Sequence, residues 1–214
     1  MFTLIIGNKN LSSWSLRPWL VLKMLNEPFE EKHIDLTASD CKTRILACNP
    51  AGKVPLLIDQ QLRIGDSLAI CEYLAECFPA AGLWPDDAAT RAIARAVVAE
   101  MHAGFAALRS ALPMNVCGDF PASTPGAAAQ ADIARITSLW ENLRQQHQGN
   151  GPFLFGQFSI ADAFFAPVVW RFRSYHVPLH GHAAAYAAHM QQLPAMQEWL
   201  AAAQQEEQAS ASGK

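Results

Sequence analysis

Asn10-Leu11-Ser12-Ser13-Trp14-Ser15-Leu16-Arg17-Pro18-Trp19 stands between two kinds of periodicity. Before it, Phe2-Thr3-Leu4-Ile5-Ile6 is an apolar run with strand chemistry, closed by Gly7-Asn8-Lys9-Asn10. After it, Leu16, Trp19, Leu20, Lys23 and Met24 recur at helical spacing, which predicts a helix from about Ser13 to Asn26, stopped by Pro28. The serines therefore fall where a strand ends and a helix begins. Such a point offers unpaired backbone N–H groups and the positive end of the helix dipole. A hydroxyl there can cap the helix, or it can hold an anion such as a thiolate. Periodicity leaves both open.

Outward from this turn, the first eighty residues alternate element types. Glu30–Leu36 reads as a second, more polar strand, and 38–48 as a short helix ended by the turn cluster Asn49-Pro50-Ala51-Gly52. Val54–Ile58 and Leu62–Ile64, separated by Asp59-Gln60-Gln61, suggest an antiparallel hairpin. Gly65-Asp66-Ser67 opens a helix whose Ile70, Cys71, Leu74, Cys77 and Phe78 share one buried face. The order is β-α-β-α-β-β-α, an α/β domain over 1–79.

Residues 80–90 carry Gly82, Pro85, Asp86 and Asp87 without a period and read as a linker. From 91 to 214 the composition turns to alanine-rich helix. Arg91–Leu112 reads as one long helix, Gly126–His147 as a second, and Ser159-Ile160-Ala161-Asp162 as a short-acid capping box heading a third. Two further helices are expected over Ala183–Gln192 and Pro194–Ala203, followed by a frayed polar tail from Gln204.

Composition removes several function classes. The 214 residues are 51% hydrophobic, enough for a sizeable core, and the net charge of −3 gives no electrostatic case for nucleic acid or an anionic membrane. Neither a signal peptide nor a membrane-length apolar segment is legible. The five cysteines are odd in number and form no C-x-x-C pair, which predicts reduced thiols and a cytoplasmic location. Seven histidines occur without metal-ligand spacing, so no metal is expected, and no phosphate-binding glycine loop is present.

What remains is a constellation in the first domain. Pro55 begins a run that otherwise reads as an interior strand. It is either an ordinary strand-entry proline, the commoner case, or a cis proline that frees the Val54 backbone for an extended peptide ligand. Asp66-Ser67 is a plain N-cap by default, yet the same geometry could grip an amino-acid end group, carboxylate on the helix N-terminus and amine on Asp66. In the second domain His102, Phe105 and Arg109 fall near one helical stripe, which is either core or the wall of a pocket between the domains.

Together and in this order, the segments resemble the cytosolic glutathione transferases, especially serine-type classes close to zeta. Ser12–Arg17 falls on that family's active-site turn; Asn49-Pro50-Ala51-Gly52-Lys53-Val54-Pro55 matches its N-P-x-x-x-V-P segment; Asp66-Ser67-Leu68-Ala69-Ile70 matches its (E/D/Q)-S-x-x-I segment; and Ser159–Asp162 looks like the capping motif of its sixth helix. The resemblance implies a thioredoxin-like domain followed by an all-helical domain, a cis Val54–Pro55 bond, a homodimer, and glutathione as co-substrate without a metal.

It also implies roles. Ser12 is the first choice to stabilise the glutathione thiolate and Ser13 the second, while Val54, Pro55, Asp66 and Ser67 hold the peptide. Lys53 either meets the glycyl carboxylate or is solvated. Trp14, His102, Phe105 and Arg109 are the electrophile-site candidates. The implied activity is conjugation of glutathione to small hydrophobic electrophiles. Its alternatives are a glutathione-dependent isomerase, a peroxidase, a dehydroascorbate reductase or a non-catalytic binding module. Where zeta-like members carry a cysteine two places after the first serine, this chain has Trp14. The match therefore implies glutathione chemistry in general rather than the cis–trans isomerisation that the cysteine serves.

Overall fold

The computed structural model describes residues 1–212. Its first part is built on strand β1 (Phe2–Ile6), helix α1 (Ser13–Met24), strand β2 (Phe29–His33), helix α2 (Cys41–Cys48), strands β3 (Leu56–Asp59) and β4 (Leu62–Gly65), and helix α3 (Ser67–Cys77). The sheet order is β2-β1-β3-β4. β1 runs parallel to β2, pairing Phe2 with Phe29 and Ile6 with His33, and antiparallel to β3, pairing Leu4 with Leu57. This is the expected βαβαββα order in a thioredoxin-like sheet.

Alternation along the strands decides which face each side chain fills. Phe2, Leu4, Ile6 and Leu57 join the main core with α1 and α3, whereas Ile5 and Leu56 meet Ile34 and Ile45 on the side of α2. β1 is thus buried on both faces, which explains its unbroken apolar run.

Beyond a 3₁₀ turn at Pro79–Ala81 come helices α4 (Ala88–Ala103), α5 (Ala106–Ala111), α6 (Ala127–His147), α7 (Ile160–Ser174), α8 (Gly181–Gln192) and α9 (Pro194–Ser212). Among the described residues no helix is long and apolar enough to cross a membrane. Every residue of α7 except Arg173 is buried, and α7 packs against α1, α4 and α8. The main core therefore runs continuously from the sheet into the helices.

At the head of α7 the capping box forms. The Asp162 carboxylate accepts the Ser159 amide at 2.9 Å, the Ser159 hydroxyl at 3.0 Å and the Leu154 amide at 2.9 Å. Asp162 is fully buried, and burial lifts its carboxyl to about 6 against these donors.

β2 ends at His33 rather than Leu36 and β3 starts at Leu56 rather than Val54; the larger changes are in the helices. The single helix over Arg91–Leu112 is broken after Ala103. Phe105 adopts φ 59°, a left-handed conformation, and a Cβ on Gly104 would stand 2.7 Å from the Glu100 carbonyl. The break turns Phe105 into the core, and the Asp132 carboxylate of α6 accepts the Leu108 amide at 2.9 Å, serving the first turn of α5. The polar tail from Gln204 is also not frayed: α9 continues to Ser212, while Gly213 and Lys214 lie outside the described residues. It is held because Glu206 accepts the Lys9 amide at 2.8 Å and Glu207 accepts the Asn10 side-chain amide at 2.9 Å.

Candidate active site

The turn between β1 and α1 is a compact set of hydrogen bonds. The amides of Leu11 and Ser12 donate to the Asn8 carbonyl at 3.1 and 2.8 Å. The next segments fix it from outside: the Trp199 indole donates to the Lys9 carbonyl at 2.8 Å, and the Val116 and Cys117 amides donate to the Asn10 carbonyl and side-chain oxygen. Ser12 is the N-cap residue of α1, yet its hydroxyl makes no cap bond; it lies 2.7 Å from the hydroxyl of Ser15. Ser12 and Ser13 are both 6% exposed. Among the described residues the Ser13 hydroxyl has no partner.

Beside this turn opens a cleft of about 750 Å³ lined by Trp14, Lys53, Val54, Pro55, Asp66 and Ser67, with Leu36 and Ile45 as apolar wall. The expected peptide-binding residues are thus brought together, and Trp14 joins them. The Val54–Pro55 bond is cis. β3 starts only at Leu56, and among the described residues the Val54 backbone takes no partner, so its amide and carbonyl remain for a ligand. Asn49 shapes the approach by donating to the Lys53 carbonyl at 2.8 Å and accepting the Ala51 amide at 3.1 Å. The turn cluster at Asn49 signalled this bend without revealing the clamp.

Asp66 caps α3, its carboxylate accepting the Leu68 and Ala69 amides at 2.7 and 3.3 Å, and its second oxygen lies 3.3 Å from His102. Burial pulls the His102 imidazole down, Asp66 pulls it up, and Arg17 and Arg109 pull it down again. The net direction favours neutral imidazole near neutral pH.

His102 stacks edge-on to Trp14 with centroids 5.3 Å apart, and the Arg109 guanidinium lies 5.0 Å from the Trp14 ring. Arg109 also donates to the carbonyls of Met101 and Gly104, closing the end of α4. Phe105 goes elsewhere, into the core. Of the four electrophile-site candidates, the fold gathers Trp14, His102 and Arg109.

Arg17 is the residue that sequence reasoning left out of the site. It is wholly buried, 4.2 Å from the Trp14 ring and 4.4 Å from that of Phe164, and it donates to the Ser67 hydroxyl at 3.3 Å. Its Nε and one Nη have no partner among the described residues. Burial, then the neighbouring Arg109, lowers it to about 9; burial likewise lowers Arg171 to about 10. Arg17 and Arg109, with Arg171 within electrostatic reach, form a cationic group in which none is ion-paired to a carboxylate among the described residues. The spacing Trp14-x-x-Arg17 on one helix was the available signal.

A second cavity, of about 670 Å³, is lined by Trp84 and Asp86 ahead of α4, Thr90 in its first turn, and His147; it gathers none of these groups. Among the described residues no cluster of His, Cys, Asp and Glu could hold a metal ion.

Comparison with known proteins matches two family models along the chain: glutathione S-transferase, N-terminal domain, over residues 11–77, and glutathione S-transferase, C-terminal domain, over residues 90–202. A probable maleylacetoacetate isomerase from Caenorhabditis elegans is 31% identical over 78% of this chain and 77% of its own. A zeta-class glutathione S-transferase from Euphorbia esula is 28% identical over 74% of this chain and 71% of its own. Among solved structures, a glutathione transferase homolog from Burkholderia with bound glutathione is 26% identical, with a TM-score of 0.72, covering 95% of this chain and 98% of that one.

Proposed function

Because the chain belongs to the glutathione S-transferase family, with zeta-like relatives, we propose that it is a glutathione transferase joining the glutathione thiolate to small electrophiles. Residues 1–79 are then the glutathione-binding domain, 80–90 the linker, and 91–214 the part that completes the electrophile site. The observation that carries this reading is the cleft uniting Lys53, Val54, Pro55, Asp66 and Ser67 beside the serine turn.

In this reading the γ-glutamyl carboxylate lies at the N-terminus of α3 with its amine on Asp66. The cysteinyl unit pairs with the free Val54 backbone, Lys53 faces the glycyl carboxylate, and the sulfur reaches the start of α1. A free thiol near pKa 8.5 is only a few per cent ionised at neutral pH. A hydroxyl donor and the dipole of α1 favour the anion, and lowering the thiol by about one to three units corresponds to about 1.4 to 4 kcal/mol. The thiol proton leaves to solvent. The sulfur then attacks the electrophilic carbon and either displaces a leaving group or adds across a double bond.

Glutathione should raise the melting temperature, because a ligand that binds only the native state adds about 2.7 kcal/mol at a hundred times Kd. No shift at millimolar glutathione would refute the reading.

A second reading, glutathione-dependent isomerisation, is favoured by the maleylacetoacetate isomerase likeness. Trp14 in the cysteine position counts against it. The two are separated by whether glutathione is consumed during turnover.

The guanidinium groups around Trp14 favour electrophiles that carry a negative charge. Arg109→Leu should cost a carboxylate-bearing chloronitrobenzene about ten- to a hundredfold more in kcat/KM than its neutral analogue, the scale of one charge-assisted contact. Equal losses on both would remove Arg109 from the electrophile site.

The protein is further proposed to be a cytoplasmic homodimer. Leu62 on β4 and Ile93 on α4 are 48% and 53% exposed, large apolar groups that a partner would cover. Light scattering at micromolar concentration should give twice the chain mass; a monomer mass would oppose it.

A further inference from the structure

Between the end of β1 and the start of α1, one amide and two hydroxyls form a hydrogen-bonded chain. The Gly7 amide donates to Ser15 Oγ at 3.1 Å, and Ser15 Oγ lies 2.7 Å from Ser12 Oγ. Ser15 is wholly buried. A serine hydroxyl has one hydrogen to give and two positions at which to accept. Gly7 occupies one of the accepting positions.

Among the described residues, Ser12 Oγ is the only hydrogen-bond partner left for the Ser15 hydroxyl. A buried O–H without an acceptor is costly. The Ser15 hydrogen therefore points at Ser12 Oγ rather than the reverse. This leaves the Ser12 hydrogen without an acceptor among the described residues, since Ser12 Oγ meets no group there but Ser15 Oγ.

We propose that Ser15 is a positioning residue: by donating to Ser12 Oγ it forces the Ser12 hydroxyl to present its own hydrogen outward, to the glutathione sulfur. This rests on the reading of the cleft as a glutathione site and deepens it. The chain Gly7 N–H, Ser15 O–H, Ser12 O–H is then aligned before the ligand arrives, each donor polarising the next. The same ordering favours Ser12 over Ser13 as the thiolate donor. The Ser13 hydroxyl has no such partner to set its direction.

The test compares wild type, Ser12→Ala, Ser15→Ala and the double variant, reading the ultraviolet absorbance of bound thiolate and kcat against pH. Ser15→Ala should raise the bound thiol's pKa and lower kcat at neutral pH by about tenfold, less than the loss of the donor itself. In the Ser12→Ala background the second substitution should change kcat by less than about twofold, because Ser15 acts through Ser12. A purely structural Ser15 would lower the melting temperature and leave the thiol pKa in place, which overturns the proposal. Losses that multiply in the double variant overturn it too. If wild type with saturating glutathione shows no thiolate, the glutathione reading itself falls. If wild type shows it and Ser15→Ala does not move it, only the role of Ser15 falls.

Discussion

Ser12→Ala should lower kcat near neutral pH by about ten- to a thousandfold, the scale for losing one preorganised donor to a resident or developing anion. The loss acts through the sulfur. Without the hydroxyl, the bound thiol ionises at higher pH, so the pH–rate profile moves upward and activity partly recovers in alkali. Glutathione affinity should change less, because on the proposed reading Val54, Asp66 and Ser67 hold the peptide. The competing role, a helix cap, would show as lost stability with an unmoved profile. The geometry already weakens that alternative, because Ser12 Oγ makes no cap bond and faces Ser15. A stability cost of about 1 kcal/mol is still expected, since the buried Ser15 hydroxyl loses its partner. A profile unmoved in Ser12→Ala but displaced in Ser13→Ala would transfer the role to Ser13.

Asp162→Ala should give the largest loss of stability, about 3 to 5 kcal/mol, by stranding buried groups rather than by removing volume. It deprives the Leu154 and Ser159 amides of their acceptor at the head of the most buried helix. For a chain of this length that is roughly a 10 °C fall in melting temperature. The cleft is built from other elements, so activity per folded molecule should fall far less.

The pH dependence has a definite sign. Asp162 holds its proton to about 6 in the folded state, against 3.8 for the free side chain. Its contribution is therefore complete below about pH 4 and declines as pH rises through 6. Denaturant unfolding of wild type and variant should show a gap wider at pH 5 than at pH 7.5. A gap that narrows on acidification would contradict the burial argument.

The sequence was most legible where neighbours in the chain determine the structure. The apolar run of β1, the serines at the start of α1, the Asp66 cap and the Ser159–Asp162 box each depend on contacts within a few residues. Legibility failed where the deciding partner is remote. A lone glycine inside an alanine-rich period is tolerated in helices, so nothing local announced that Asp132 would serve a new helix start and that Phe105 would turn inward. Gln204 onward looked like tail because its anchors are Lys9 and Asn10. Ser15 and Arg17 lie in the Ser12–Arg17 segment with no role of their own legible there; only the packing of Phe164 and the approach of Gly7 give them roles.

The bonds from Lys9 to Glu206 and from Asn10 to Glu207 each span 197 residues. At about 5–20 residues per second, a ribosome needs roughly 10 to 40 s to cover that interval. The sheet and its three helices are the first part of the chain to emerge. The loop carrying the two serines then waits, first for Val116 and Cys117 and afterwards for α9, before its backbone is fixed. Synthesis thus orders events in time: on the proposed reading, every residue of the peptide cleft is made well before the segment that holds the serine turn from outside.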